Sequence, residues 1–358
     1  MTESGKTSRP RKGAQIEVAG AGVVGMQTGI ELLKKGHRVT AYEAREFDPR
    51  FATNPELPGF KRASEVASMQ WLPITSEENR NQELRWIEQS LDTYVQRETA
   101  ARYRNTMKRR RNVELTTDEE RMHPSFLEMA APLGANQEFD GIPENPRHYA
   151  WGYDFTTFQV NSPAMLAAMR EEFKELGGKL LIRKIESEEE FYDLPGDILI
   201  NCMGLRARDI FKKDLGLEAT KGHMMLFTNP GIEEIVSAED FIMIPRTKDR
   251  LIVGCLYLKE GTYSTIDPTE EEQQEIMRRF EEVMSVDIKG FEALRQQFAA
   301  AEHIGEIASE RPVRKMGVLV AAEAAGNKMV VHHVGHGGSG WTLVPGSAKD
   351  VAALIEHG

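Results

Sequence analysis

The sequence predicts an α/β protein in which a Rossmann-like domain is interleaved with a second domain that has a mixed antiparallel sheet. Three patterns predict this class. A β-α-β unit occupies residues 15–43, and alternating helix and strand patterns return at residues 160–202 and 318–358. Between them, at residues 224–258, strand patterns follow one another without helices. A length of 358 residues accommodates two domains of ordinary size.

Each element of the first unit follows from a local pattern. Residues 15–19 form a short strand that ends at the glycine-rich turn from Gly20 to Gly25. Apolar residues recur at helical spacing over residues 26–35, and Gly36 ends that helix. Residues 37–43 form the next strand. The unit has the length that is typical of a β-α-β crossover.

Sequence patterns in the next part of the chain predict two helices and two strands. Residues 76–111 have apolar side chains at helical spacing, and the basic run at 108–111 is expected to be the solvated end of that helix. A nucleic-acid patch is the less favoured interpretation, because no aromatic residues interleave with the basic ones. Ser162, as N-cap before Pro163, begins a helix. Strands are expected at residues 180–182 and 197–202.

The remaining elements are mostly strands. They are expected at residues 224–227, 241–244 and 251–258. Thr269 and Glu272 have the spacing of a capping box, which predicts a helix to about residue 284. A turn at Gly326-Asn327 joins a strand at 318–321 to one at 329–334, and a last helix is expected with Ser347 as its cap.

Composition excludes several classes of protein. The formal charge of −11 argues against a nucleic-acid partner, and no apolar run reaches the length of a membrane span. Cys202 and Cys255 lie in apolar runs, which favours buried thiols over a disulfide. Residues 1–12 are polar and basic, as in a solvated leader rather than a signal peptide, and the chain does not end in the peroxisomal Ser-Lys-Leu. We therefore expect a cytoplasmic protein.

The first glycine motif predicts a dinucleotide site. Gly20 permits the turn after the strand, Gly22 lets the backbone approach a pyrophosphate, and Gly25 allows close packing of helix on strand. Glu43 ends the following strand, about where a carboxylate accepts hydrogen bonds from a ribose. A merely structural glycine turn is the alternative, but it does not account for the strand, helix and glutamate together.

A second glycine loop lies at residues 335–340, close to the C-terminus. Too few residues follow it for another β-α-β unit, so we expect a backbone loop directed at the same cofactor. A metal site at His332, His333 and His336 is disfavoured because neighbouring strand residues point to opposite faces. A serine nucleophile at Ser339 is disfavoured because Trp341 breaks the Gly-x-Ser-x-Gly pattern.

Arg311 and Arg314 flank Pro312 and Val313 in a segment that proline makes extended. Such arginines are either structural ion-pair formers or the grip on a substrate carboxylate, to which a guanidinium can make two parallel hydrogen bonds. These residues alone leave both interpretations open.

Five segments together resemble the FAD-dependent D-amino-acid oxidases. They are residues 18–25, 151–153, 200–205, 311–314 and 335–342, and the last two are the most specific. The resemblance extends over most of the chain from residue 15. It implies an FAD-binding domain formed by residues 14–75, 160–221 and 306–358, and a substrate domain formed by 76–159 and 222–305.

The resemblance also implies roles for particular residues. FAD would be held by Ala21, Gly22, Val23, Val24, Glu43, Ala44, Arg45, Ile185, Gly337, Gly338, Ser339, Gly340, Trp341 and Thr342. Arg311 would bind the substrate carboxylate, and the carbonyl of Gly338 would accept a hydrogen bond from the amine. No side chain would act as acid or base, because a hydride would pass from the α-carbon to the flavin and oxygen would then reoxidise it to give hydrogen peroxide.

The sequence departs from the family at the substrate pocket. Ile242 stands where a tyrosine would help to bind the carboxylate, and Ser339 replaces a bulky aromatic residue of animal members. Tyr257 matches a second pocket tyrosine of microbial members, with a residue of the hydrophobic core as the alternative.

The expected function is therefore oxidative deamination of D-amino acids to 2-oxo acids, ammonia and hydrogen peroxide. A glycine or sarcosine oxidase, or another amine oxidase, on the same FAD scaffold is the nearest alternative. A nicotinamide-dependent dehydrogenase and a flavin-binding protein without amine turnover belong to other classes. The expected partners are the amino acid and oxygen, with no metal, nucleic acid or membrane, while the oligomeric state stays open, a homodimer included.

Overall fold

A computed structural model describes residues 13–48, 63–73, 75, 78–117, 126–134, 136–139 and 141–357. The expected basic leader at residues 1–12 and the expected helix start at Ser76 lie outside the described residues.

The strands and helices are numbered in chain order. The strands are β1 (Gln15–Ala19), β2 (Arg38–Glu43), β3 (Ser68–Gln70), β4 (Met107–Thr116), β5 (Asn136–Glu138), β6 (Trp151–Asn161), β7 (Lys179–Ile182), β8 (Ile198–Asn201), β9 (Leu217–Thr228), β10 (Ile235–Ala238), β11 (Phe241–Pro245), β12 (Arg250–Lys259), β13 (His303–Arg314), β14 (Leu319–Ala325) and β15 (Lys328–Val334). The helices are α1 (Val23–Lys34), α2 (Ala63–Val66), α3 (Arg80–Thr99), α4 (Phe126–Ala130), α5 (Ser162–Glu175), α6 (Glu188–Tyr192), α7 (Ala207–Ile210), α8 (Glu270–Met284), α9 (Phe291–Phe298) and α10 (Gly340–His357).

The first sheet has the order β14-β15-β8-β1-β2-β7 within the described chain. Its strands are parallel except for β14, which pairs with β15 through the predicted turn at Gly326-Asn327. The carboxyl ends of β1, β2, β8 and β15 therefore meet at one edge, where open α/β sheets bind their ligands. Two helices behind this edge pack tightly, since a Cβ on Gly346 of α10 would lie 2.3 Å from the Cα of Trp86 on α3.

The second sheet has the order β13-β9-β12-β11-β10-β4-β6-β3, with β5 paired to β6. It is antiparallel apart from the pair β4 and β10. One of its faces buries apolar side chains of α8 and α9, including Ile276, Phe280 and Phe298. The two sheets use separated and alternating parts of the chain, so the predicted fold class is confirmed, while the domain boundaries given above remain a prediction.

Several local predictions agree with the structure. The first strand, the strand-turn-strand at β14 and β15, and the antiparallel run are present. The capping box is confirmed, because Thr269 accepts from the backbone of Glu272 and the Glu272 side chain accepts in return. Cys202 and Cys255 are both buried and free.

The helix predicted over residues 76–111 is wrong in its last third. Helix α3 ends at Thr99, and the basic run lies on β4, which pairs with β6 along its whole length. The run is not a solvated helix end, because Arg110 is buried and Arg109 and Arg111 form ion pairs on the other face of the strand. Pairing with a long neighbouring strand has overridden the local helical preference.

Two helix caps also differ from the prediction. Asn161, one residue before Ser162, is the N-cap of α5, and the Ser162 hydroxyl instead donates to the carbonyl of Ala67. Ser347 lies inside α10, which already begins at Gly340. The chain therefore enters this helix directly from the glycine loop.

None of the helices in the described part of the chain is both long enough and apolar enough to cross a lipid bilayer.

Candidate functional site

A cavity of about 800 Å³ lies between the carboxyl edge of the first sheet and the strand β13 of the second. Its size is within the range of cofactor and substrate sites. Both glycine loops, the carboxyl ends of β2 and β8, and part of β13 contribute to its lining. The lining residues are 20–24, 42–44, 63, 64, 67, 183–185, 202–206, 266–268, 306, 308–312, 333–338, 340 and 341.

The three glycines of the first motif differ in what surrounds them. Gly20 has a φ of +105°, and a Cβ there would lie 2.3 Å from the carbonyl oxygen of Cys202. A Cβ on Gly25 would lie 1.7 Å from the carbonyl oxygen of Gly20. Among the described residues, a Cβ on Gly22 would meet only the Ser64 side chain, with its hydroxyl at 3.1 Å. Gly20 and Gly25 are thus required by the fold, whereas Gly22 leaves space in the cavity wall.

This space fits a pyrophosphate. Gly22 is the N-cap of α1, and that helix has neither a capping side chain nor an acidic residue in its first turn. Its first backbone amides therefore remain available to an anion, with the positive end of the helix dipole behind them.

Replacing Gly22 with valine is expected to empty the cofactor site without unfolding the protein. The valine side chain would occupy the place of the phosphates, while the extended backbone at Gly22, with a φ of −75°, accepts a side chain. The flavin absorbance and the thermal midpoint of the purified variant measure the two effects. The matched variant Gly25→Val is expected to lower the midpoint itself, and a Gly22→Val protein with full flavin content would refute the assignment.

The predicted ribose carboxylate lies at the cavity. Glu43, at the end of β2, is buried and lines the wall together with Ala44 and Ile185. It also forms an ion pair with Arg170 of α5, whose guanidinium donates to the carbonyl of Ala21 as well. Arg170 thus ties the predicted ribose carboxylate to the glycine turn.

Arg45 occupies a different place from the one expected. It does not line the cavity, and its Nη2 lies 2.9 Å from a carboxylate oxygen of the buried Glu65 on α2. Arg45 therefore connects the end of β2 to α2.

Arg311, Tyr257 and Gly338 come together as the sequence predicts. The Arg311 guanidinium lies over the Tyr257 ring, 4.5 Å from its centre, and a Cβ on Gly338 would be 3.8 Å from both side chains. Nη2 of Arg311 is 2.9 Å from Sγ of Cys255, while Nη1 is buried without a hydrogen-bond partner among the described residues. A buried guanidinium with a free N–H is suited to bind an anion.

Neighbouring positions shape the space around this guanidinium. Gly222 on β9 makes room for it, because a Cβ there would lie 2.2 Å from Nη1. Ile242 packs with Met224, Cys255 and Ile307 in an apolar cluster on the same sheet. Tyr257 is half exposed, which excludes the alternative that it belongs to the core. Ile242 thus belongs to the same apolar cluster as Cys255 and offers no hydrogen bond there, while Glu306, Ser309 and Glu310 of β13 also line the cavity.

The second glycine loop leads directly into α10. Gly337 and Gly338 line the cavity in a short 3-10 turn with Ser339, and Gly340 and Trp341 line it from the first turn of the helix. Thr342 is buried in that same turn, and neither it nor Ser339 contributes to the lining.

The histidines next to this loop form a neutral buried cluster. His333 and His336 share the hydroxyl of Ser347, at 2.8 and 3.2 Å. Burial lowers the pKa of His336 to about 3 and that of His333 well below its ordinary value. His332 points to the other face of β15, towards Asn201 and Glu323. The rings at the cavity are therefore uncharged at neutral pH and hold the loop on α10.

Three residues of the site carry no signal in the sequence. Arg170 is an ordinary helix position, Gly222 stands among strand residues, and Cys255 lies in an apolar run. Their roles depend on contacts across 127, 89 and 56 residues of sequence respectively, all of which only the fold creates.

The chain is similar to known proteins over almost its full length. The family model described as FAD dependent oxidoreductase matches residues 15–354. A D-amino-acid oxidase of Rubrobacter xylanophilus is 28% identical over 351 residues, with 97% of each chain covered. One of Streptomyces coelicolor is 27% identical over 356 residues, with 95% of this chain and 96% of the relative covered.

A solved structure has a similar fold. Glycine oxidase from Geobacillus kaustophilus superimposes with a TM-score of 0.68 at 17% identity, and the match covers 96% of this chain and 95% of that one. At this identity the likeness concerns the fold alone.

Proposed function

Because this chain belongs to the family of FAD-dependent oxidoreductases and takes FAD as its cofactor, we propose that it oxidises D-amino acids. The products are a 2-oxo acid, ammonia and hydrogen peroxide, formed from the amino acid, one water and one oxygen molecule. The observation that carries the proposal is the buried Nη1 of Arg311, which has no hydrogen-bond partner among the described residues and lies beside Gly338 and Tyr257. The two D-amino-acid oxidases that match almost the whole chain support it.

The protein's own residues would bind and orient the reactants. FAD, when bound, supplies the acceptor for two electrons. The amides at the start of α1 would hold its pyrophosphate beside Gly22, and Glu43 would accept hydrogen bonds from its ribose. The glycine loop from Gly337 to Thr342 would hold the flavin ring. The proposed cofactor contacts also include Ala21, Val23, Val24, Ala44, Ile185, Ser339, Gly340 and Trp341. Arg45 would not contact FAD, and its ion pair with Glu65 would connect the end of β2 to α2.

Charge would bind and orient the substrate, and no side chain would act as a general acid or base. Arg311 binds the carboxylate through two N–H groups, the Gly338 carbonyl accepts from the amine, and Tyr257 covers the guanidinium. His333 and His336 are neutral, and each forms a hydrogen bond with the Ser347 hydroxyl. They therefore offer no proton to the substrate at neutral pH.

The purified enzyme is expected to release peroxide with D-amino acids and not with their L-enantiomers. Arg311, Gly338 and the flavin fix three directions at the α-carbon, so inversion of the centre places the side chain where the hydrogen must be. Peroxide release measured with matched D and L pairs, glycine and sarcosine tests this. Equal turnover of both enantiomers would refute it, and turnover of sarcosine or glycine alone would establish the alternative substrate class.

A further inference from the structure

A second, smaller cavity lies outside the cofactor and substrate site. It has a volume of about 120 Å³ and shares no lining residue with the larger cavity. Its walls come from the turn before β4, the first half of β4, the end of β6 and the turn between β11 and β12. The lining residues are Asn105, Thr106, Met107, Lys108, Arg110, Gln159, Asn161, Arg246, Thr247 and Lys248.

The cavity exists because β10 is shorter than its neighbours. The pairing of β10 with β4 begins only at Ile235 opposite Asn112. The start of β4 therefore has no strand beside it on that side, and the turn after Pro245 extends past the beginning of β10. The sheet is left with an open slot between β4 and the β11–β12 turn.

Four cations surround this slot. Arg110 and Arg246 are buried, with 7% and 3% of their surface exposed, and Lys108 and Lys248 stand exposed at the rim. The lining contains no aspartate or glutamate. Among the described residues, none of the four forms an ion pair with a carboxylate.

The two buried guanidinium groups are held by neutral acceptors. Nη1 of Arg110 donates to the carbonyl of Glu233 at 2.8 Å, and Arg246 donates to the carbonyls of Glu65 and Val66 at 3.1 and 3.2 Å. Burial lowers the pKa of Arg110, and it lowers that of Arg246 to about 10. The charge of Glu233 opposes the effect of burial on the pKa of Arg110 but forms no ion pair with it, and an anion in the slot would compensate the buried charge further.

We propose that this slot binds a small inorganic oxyanion of the phosphate and sulfate type. A volume of about 120 Å³ accommodates one such ion and is well below the roughly 300–1,000 Å³ of typical cofactor and ligand sites. Guanidinium groups bind phosphate oxygens through paired N–H donors, and the ammonium groups of Lys108 and Lys248 provide further donors. The site is independent of the amino-acid oxidase activity proposed above.

The occupied slot would also stabilise a wall of the larger cavity. Arg246 donates to the carbonyls of Glu65 and Val66 at the end of α2, and the neighbouring Ala63, Ser64 and Ala67 line the cofactor cavity. The bound anion is therefore expected to raise the thermal midpoint of the FAD-loaded enzyme as well as to bind.

Isothermal titration of the FAD-loaded enzyme with phosphate, at constant ionic strength set by chloride, tests the proposal. One phosphate per chain is expected to bind, and sulfate is expected to compete with it. The double variant Lys108→Gln/Lys248→Gln, which changes only exposed side chains, is expected to bind at least tenfold more weakly with unchanged flavin content. A second variant, Arg110→Gln, removes a buried donor.

Lys289→Gln is the matched control, because Lys289 is an exposed lysine between α8 and α9, far along the chain from the slot. It is expected to bind phosphate as the parent enzyme does. Absence of phosphate binding, equal binding by the double variant, or binding of succinate in place of phosphate would each overturn the proposal.

Discussion

Replacing Arg311 with leucine is expected to lower kcat/KM for a D-amino acid by about a hundred- to several-thousand-fold, with FAD content near normal. Its buried Nη1 has no hydrogen-bond partner in the described structure, and Ile242, which packs in an apolar cluster with Cys255, cannot share the carboxylate. The substrate carboxylate would then be buried without its cation, which costs about 3–5 kcal/mol. Since about 1.4 kcal/mol corresponds to tenfold in rate, that cost gives the expected range. Steady-state kinetics with flavin absorbance as the loading control measures it.

Two further variants separate charge from geometry and binding from stability. Arg311→Lys is expected to recover part of the activity, because an ammonium group keeps the charge but cannot make the planar pair of hydrogen bonds. Arg314→Leu is the control within the same segment. Its guanidinium donates to the carbonyls of Leu215, Met316 and Gly317, so its loss is expected to lower stability more than turnover.

The opposite pattern would place the substrate carboxylate elsewhere. If Arg314→Leu abolished turnover and Arg311→Leu left it intact, the assignment of the carboxylate to Arg311 would be wrong. Loss of FAD from Arg311→Leu would indicate a role at the cofactor instead.

The parts of the fold that could be predicted are those where one residue type has few alternatives. Gly20 adopts a positive φ against the backbone of Cys202, and Gly25 packs against Gly20. Only glycine fits at these two positions, so the glycine spacing predicts the turn. Pro312 makes its segment extended, which placed both arginines on a strand. Local rules of this kind identify turns, caps and close approaches.

The parts that could not be predicted depend on partners distant in the sequence. Residues 107–111 join β4 because β6 offers ten residues of pairing, and no pattern within 76–111 announces that strand. Arg45 was expected at the cofactor, but it forms an ion pair with Glu65 and does not line the cavity. Charged residues have little local preference, so their positions are set by the partners that the fold brings to them.

The ion pair of Arg170 and Glu43 is the clearest instance of a contact between residues distant in the sequence. We expect its loss to have the second large effect. Replacing Arg170 with methionine is expected to lower the free energy of unfolding by about 3–5 kcal/mol. Both side chains are nearly inaccessible to solvent, so the variant leaves the Glu43 carboxylate in the interior without this cation. Urea unfolding of the apoprotein measures the loss apart from any contribution of bound FAD.

A double-mutant cycle with Glu43→Gln distinguishes the structural role of this pair from its role at the cofactor. Glu43→Gln alone leaves Arg170 charged and is also expected to destabilise, whereas Arg170→Met/Glu43→Gln removes both charges and is expected to cost less than the sum of the single variants. If Glu43 accepts hydrogen bonds from the ribose, the double variant recovers stability but binds FAD more weakly, by about 1–3 kcal/mol. Additive losses of stability would show that the two charges do not compensate each other. Unchanged FAD affinity in the double variant would show that Glu43 serves the fold and not the cofactor.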